Sequence, residues 1–394
     1  MEKLALFGGE PVRTNKLPLN LPYFDGSEAK AAADAITSTF VSGDGPKGQE
    51  LEERFCKYLG VKHAFFVNSC TAALELGLMV SNINSGSLIS PDYTFTSTAL
   101  IAPLNNLKLK LSDINLNDCN LSVNNLREVI DKGTKIIVPV HYAGVSCDMD
   151  EINKLARDNG SIVMEDAAHA IGAKYKGKML GTISDMGCFS FHGTKNLVCG
   201  EGGLLVTNDD NVADKCYVMR DKGTNKYLHL RNKAKGYYQF VDVGRSFVQS
   251  DILAAVALEQ LKKIDFMNNL RRKHANYLIT HLSKFPQLVL PSIVQNKESN
   301  WHLFWLRVKP SLRDFYLKAL NAEGISANIH YIPLHLNPVY QNYGYDGGPF
   351  TNSKLIYDSL IRIPLYPGLN EKDLNDIIVA FDKINNYLEE ISNE

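Results

Sequence analysis

From Lys62 to Asp166, short apolar runs alternate with amphipathic segments of roughly ten residues, and no other feature constrains the fold as tightly. Ala64–Val67, Leu88–Ser90, Leu107–Leu111, Lys135–Val140 and Ser161–Glu165 read as strands. Between them lie helices through Leu74, Leu76, Leu78 and Met79, over Ser122–Lys132, and over Asp148–Asn159 with Gly160 closing the last. Strands spaced by helices need crossover connections, which predicts a mostly parallel sheet with helices on its faces. Leu107–Leu111 alternates Leu with Lys, so one of its faces is expected to be wet. Ligands of such sheets lie beyond the carboxyl ends of the strands. Thr71, Phe95, His141, Asp166 and Ser190 all fall there.

The rest of the chain frames that layer. Residues 1–25 are irregular and marked by Pro, an arm expected to lie on another part of the molecule. Ser27 is expected to N-cap a helix through Ala29, Ala33 and Ile36. Ser42–Gly48 contains a literal G-x-G-x-x-G, but it follows a helix rather than a strand and Pro46 demands a rigid turn. A mobile or ligand-facing loop fits better than a dinucleotide fingerprint. A helix is expected at Gln49–Leu59, another at Asp209–Lys222, and a polar, basic, aromatic loop at Gly223–Tyr238. The helix at Asp251–Ile264 continues or kinks into a basic one through Lys284. Thereafter the pattern is α+β, with a strand at Trp301–Val308, a helix at Ser311–Glu323 and a last helix at Asp373–Glu390. The expected division is an arm at 1–25, a large domain at 26–264 and a small domain at 265–394.

Composition excludes several classes. Acids and bases nearly cancel at a net charge of −1, which argues against bulk electrostatic binding of nucleic acid. Seven cysteines without framework spacing fit a reducing compartment and no zinc site. The apolar run in MEKLALFGGEPVRT is too short for a signal sequence, and charges interrupt every longer one, so a cytoplasmic protein without a membrane partner is expected.

The chemistry concentrates between Met164 and Asn208. Asp166 ends an apolar strand, Ser190 precedes Lys195 by five residues, and Gly200, Gly202 and Gly203 make a tight turn. Side chains alternate along a strand, so only one of Glu165 and Asp166 can face a ligand; Ala167 and Ala168 leave room beside Asp166. An amine nucleophile, a buried acid and a hydroxyl for a phosphate are what a pyridoxal phosphate (PLP) site requires. The Asn68-Ser69-Cys70-Thr71 turn into a helix adds a possible anion site, or merely an N-cap. Phe95 can stack on a ring or fill a core. His169, His192, His330 and His335 can touch ligands or simply pack, and their separations match no metal site.

These residues resemble the DegT/DnrJ/StrS-type family of nucleotide-sugar aminotransferases, PLP enzymes of fold type I. The similarity spans nearly the whole chain, in SGDGPKG, NSCTAALELGL, SPDYTFTSTA, IIVPVHYAGVSCDMD, EDAAHAIGA, FSFHGTKN, GEGG, RDKGTNK, VGRSFVQSD and NIHYIPLH. FHGTKN, KGTN and HYIPLH are most similar to the branch of dTDP-4-amino-4,6-dideoxy-sugar transaminases, such as dTDP-4-amino-4,6-dideoxygalactose transaminase. The resemblance implies a large domain with a mostly parallel seven-stranded sheet plus a smaller α+β domain. It implies Lys195 as the Schiff-base lysine, Asp166 as the partner of the pyridine nitrogen, and Thr71, Ala72 and Ser190 as phosphate contacts. Phe95 would stack on the ring and His169 would lie near its O3′. A homodimer with interfacial sites is implied, the loop Gly244–Ser250 of one copy reaching the other's PLP phosphate. Where many members carry Asn or Arg in that loop, this chain has Val248, which leaves Ser250, Gln249 and Arg245 as candidates. Relatives in which histidine replaces the lysine are dehydratases, whereas Lys195 here implies ping-pong transfer from L-glutamate to the C4 keto group of a dTDP-4-keto-6-deoxyhexose. Lys222, Asn225, Lys226 and Arg231 would hold the diphosphate, with His330, Tyr331 and His335 on the sugar. Transfer at C3, to a UDP-sugar or to a cyclitol is the nearer alternative, and a regulatory protein without turnover the more distant one. Amino-sugar supply to a surface glycan such as O-antigen is the implied context.

Overall fold

The computed structural model describes residues 3–227 and 237–393. Seven strands of the large sheet come from residues 63–207. They are β1 (His63–Val67), β2 (Ser87–Pro91), β3 (Lys108–Ser112), β4 (Thr134–Ile137), β5 (Ile162–Asp166), β8 (Met186–Ser190) and β9 (Gly203–Thr207), with the short hairpin β6 (Lys174–Tyr175) and β7 (Lys178–Met179) outside it. Their order is β1-β9-β8-β5-β4-β2-β3. From β8 to β3 neighbours run parallel, while β9 is antiparallel to both β1 and β8.

The sheet is one strand wider than the seven expected. β12 (Asp346–Gly347) adds to the free edge of β3 in parallel, because a C-terminal excursion returns to the large layer and buries Leu334 and Tyr340 in its core. Strand β3 also departs from expectation. Only Lys108 is exposed; Lys110 is buried, its stem running through apolar surroundings to bring Nζ within 3.1 Å of Val129 O and 2.6 Å of Asp131.

Helices α1 (Ser27–Thr37), α2 (Pro46–Leu59), α3 (Cys70–Val80), α4 (Thr96–Leu104), α5 (Val123–Val129), α6 (Met149–Asn159) and α7 (Asp210–Met219) surround the strands. Gly26 rather than Ser27 stands at the N-cap of α1, with its backbone in the left-handed region. Pro46 occupies the first turn of α2, where its missing N–H costs nothing. The glycine loop ahead of it is pinned: Asp251 accepts from Lys47 N and Gly48 N, and Asp44 pairs with the buried Arg220.

The basic region kinks where expected. α8 (Asp251–Lys262) ends at Lys263 and α9 (Ile264–Leu282) begins there. Beyond α9, the paired strands β11 (Phe304–Arg307) and β13 (Leu360–Ile363) join the helices Arg313–Ala322 and Glu371–Asn393 around a second core. Leu4 and Leu17 of the arm are buried in this core. The buried Glu323 accepts from Ala5 N and Val12 N and pairs with Lys383. The short strand β10 (Lys297–Glu298) pairs with β6, tying this second layer to the first.

Candidate active site

At the carboxyl ends of β5 and β8 the two layers leave a cavity of about 330 Å³. Asp166 and Lys195 both line it, with Ser69, Cys70, Thr71, Phe95, Ser97, His169, Ser190, His302, His330, Tyr331 and Arg362 among the other walls. Alternation along β5 separates its two acids as predicted. Glu165 turns away and is consumed by structure, accepting from Gly181 N, Ile183 N and Ser184 N and facing His141 Nε2 at 2.9 Å. His141 therefore lies buried behind the site and is absent from the cavity wall.

Asp166 is positioned by two donors. Thr98 Oγ1 donates to Oδ2 at 2.7 Å and Ala168 N to Oδ1 at 3.1 Å. Burial raises its pKa in the ligand-free chain, against the lowering pull of those donors and of Lys195. A cationic ring nitrogen would reverse that balance and hold the carboxylate ionised.

Lys195 sits on a turn whose backbone closes back on itself, with Lys195 N donating to His192 O and Gly193 N to Gly200 O. Leu197, Val198 and Cys199 bury the following segment. From outside, Asn20 of the arm donates to Thr194 O at 3.0 Å. Burial pulls the Lys195 pKa down to about 8, the Arg362 charge adding to the effect and Asp166 opposing it.

The third component is a cradle for an anion. Helix α3 opens onto the cavity at Ser69, Cys70 and Thr71, where backbone N–H groups and the helix dipole favour negative charge. Ser69 caps the helix by accepting from Ala72 N at 3.0 Å, and Thr71 Oγ1 lies 2.7 Å from Ser97 Oγ. The turn lies so close to β9 that a Cβ on Gly203 would come within 2.3 Å of Ser69 C. Ser190, paired in register with Gly203, also lines the cavity. Ala72, the third residue of α3, is buried and off the wall.

Other candidates are placed unevenly. Phe95 is 55% exposed, its ring 5.9 Å from that of Tyr331. His169 accepts from Ala143 N at Nδ1, and its Nε2 lies 3.3 Å from the Tyr331 hydroxyl. His330 and Tyr331 are on the wall, whereas His335 is drawn aside by Asp92, 2.7 Å from its Nδ1. Lys222 pairs with Asp221, and Asn225 accepts from Gln239 N, both away from this chain's cavity, as is Lys226. Arg231 lies outside the described residues. Ser250 caps α8 and donates to Val41 O, Gln249 donates to Glu201 O, Arg245 pairs with Glu75, and Val248 bridges to Val67.

Sequence reasoning missed Thr98, Arg362 and His302. The signal for Arg362 was a lone cation among the apolar residues of Leu360–Ile363. It now faces the cavity with its Nε buried and without a hydrogen-bond partner among the described residues.

Residues 22–382 match the sequence profile of the DegT/DnrJ/EryC1/StrS aminotransferase family. The chain belongs to this family. It is 37% identical to the spore coat polysaccharide biosynthesis protein SpsC of Bacillus subtilis over 93% of this chain and 97% of that one. It is 36% identical to the uncharacterised protein MJ1066 of Methanocaldococcus jannaschii, covering 95% and 98%. Among solved structures, Helicobacter pylori PseC, an aminotransferase involved in the biosynthesis of pseudoaminic acid, superposes with a TM-score of 0.87 at 27% identity. That match covers 94% of this chain and 99% of PseC. As a member of the DegT/DnrJ/EryC1/StrS family the protein is a PLP-dependent sugar aminotransferase with the corresponding α/β fold. The residues fit that cofactor, since a depressed amine, a buried carboxylate and an anion cradle share one cavity.

Proposed function

We propose that the enzyme moves the amino group of L-glutamate onto the C4 keto group of a dTDP-4-keto-6-deoxyhexose, giving a dTDP-4-amino-4,6-dideoxy sugar. The observation that carries the donor assignment is Arg362, a guanidinium beside Lys195 that no described carboxylate pairs with. A planar fork in a half-buried pocket suits a carboxylate, and an amino-acid donor brings one. The nucleotide and the C4 position rest on the similarity of the FHGTKN, KGTN and HYIPLH blocks.

In this reading Lys195 would hold the cofactor through Nζ, Asp166 would partner the ring nitrogen, and Thr71, Ser190 and the start of α3 would take the phosphate. Bound PLP supplies the aldehyde that receives the amino group and a ring that withdraws electrons from the reacting carbon. Released Lys195, with its pKa near 8, takes and returns a proton at the carbon bearing nitrogen. Arg362 fixes the donor's carboxylate so that its Cα–H faces that amine. Phe95 and Tyr331 would flank the ring, and His330 and Tyr331 would meet the sugar. Two copies form the working unit, Gly244–Ser250 of one completing the phosphate site of the other.

The test is incubation with L-glutamate and dTDP-4-keto-6-deoxyglucose, with the product read by mass and NMR. An amine at C4 is the expected result. An amine at C3, or turnover only with a UDP-sugar or cyclitol, would replace the substrate assignment. Cofactor that stays in its aldehyde form after glutamate is added would point to a sugar-nucleotide-binding protein without turnover. Lys195→Ala should abolish transfer altogether.

A further inference from the structure

The loop that carries His330 and Tyr331 into the cavity is fastened on both sides of Tyr331. Ahead of it, the buried Tyr142 hydroxyl donates to His330 O. Behind it, Leu334 N donates to Asp92 O at 2.8 Å, His335 N donates to Asp92 Oδ1 at 2.9 Å, and His335 Nδ1 lies 2.7 Å from Asp92 Oδ2. A carboxylate oxygen only accepts, so Nδ1 carries the proton in that contact. Asp92 is fully buried, and among the described residues His335 alone donates to its carboxylate. Asp92 is itself fixed by donating from its N to Ser112 O at the end of β3. The imidazole lies over the Phe350 ring with centroids 4.7 Å apart.

Leu334 and Tyr340 already anchor this segment in the large core. A buried ion pair contributes little net stability beside apolar groups of its size, yet it accepts only one geometry. What it registers is the space between two short segments that both reach the cavity. Phe95, at the N-cap position of α4, ends the turn that Asp92 begins, and Tyr331 lies on the loop that His335 closes. The two rings are 5.9 Å apart. Tyr331 also meets His169. Ala143 N donates to His169 Nδ1, so the His169 proton is on Nε2 and points to the Tyr331 oxygen 3.3 Å away. The phenol's own proton is left for a ligand, and burial, with Asp166 adding to it, raises the pKa that keeps it there.

We propose that Asp92 and His335 are positioning residues for the sugar: their pair sets the loop so that Tyr331 keeps its oxygen on His169 and its ring opposite Phe95, with the phenol O–H turned to the bound keto sugar. His335 touches no ligand in this role. The inference rests on the reading of Tyr331 as a sugar contact and of Arg362 as the donor's, and only the sugar half of the reaction then depends on the pair.

At position 335 asparagine keeps an N–H near the place of Nδ1, whereas leucine keeps only bulk. In His335→Leu holoenzyme, amide exchange read by peptide mass over residues 330–337 should quicken about tenfold or more, and the rest of the chain should stay within about twofold. The concentration of dTDP-4-keto-6-deoxyglucose giving half-saturation should rise about tenfold, while the loss of aldehyde absorbance with saturating L-glutamate stays within about twofold of the parent. His335→Asn should stay within about threefold of the parent in each measurement. Should His335→Leu fail to fold, Asp92→Asn, which offers one acceptor oxygen in place of two, carries the same three readings with the same expected direction. Exchange that is unchanged at 330–337, or quickened equally along the chain, would overturn the proposal, as would an equal loss of the glutamate step. A His335→Asn variant as impaired as His335→Leu would mean that the imidazole itself meets the ligand, and would overturn it too. If the parent transfers no amine to the sugar, the substrate reading fails instead, and exchange at 330–337 alone then decides the pair.

Discussion

At Lys195 burial disfavours the ammonium, so free amine is present where an exposed lysine is almost wholly charged. The pKa is lowered, so the neutral form gains as pH rises through the lowered value. Capture of a small aldehyde by cofactor-free protein should therefore reach half its plateau near pH 8, and Lys195→Ala should remove that phase. A plateau reached only above about pH 10 would mean a solvated amine. Thr98→Val tests the acid: without its hydroxyl donor Asp166 is harder to ionise, and cofactor affinity in an equilibrium titration should fall about tenfold. Lys195, Asp166 and Ser190 were legible because strand ends and turns are local. Thr98 and Arg362 were not, since each reaches the cavity from an element whose placement only tertiary packing decides. His335 shows the converse, a motif histidine that Asp92 holds off the wall.

Among the elements, β5 shows how one strand serves two purposes. Its outward acid collects three backbone donors from residues 181–184 and so fixes the loop leading into β8. Glu165→Ala should strand those groups and His141 in a dry interior and cost about 3–5 kcal/mol, measured by denaturant unfolding. The Ser69 turn gives a second case, because Gly203→Ala must push it off β9. That variant should lose phosphate-dependent cofactor binding along with about 1–3 kcal/mol of stability, read by melting with and without PLP. The rhythm that revealed β2, β4 and β5 was clear in the chain because buried parallel strands are largely apolar. Two-residue β12 carries no such pattern, and the helix at Thr351–Ser359 was missed among polar residues whose only apolar stripe is short.

For the molecule as a whole, the two cores are joined by more than the chain crossing between them. The arm seals the second core with Leu4 and Leu17, and Arg13 pairs with Asp373 and Asp376. Leu17→Ala should cost about 2–5 kcal/mol and open the arm to trypsin at Arg13 and Lys16 well before the large layer is cut. Cleavage of both at one rate would show a single cooperative unit. Asn20, at the end of that arm, also receives the buried Arg271 guanidinium while donating beside the nucleophile. A fusion tag or trimming upstream would then be felt at the amine, as a lysine held at the wrong height over an intact sheet. Loss of turnover in a shortened preparation would report a misplaced reactive atom rather than an unfolded protein.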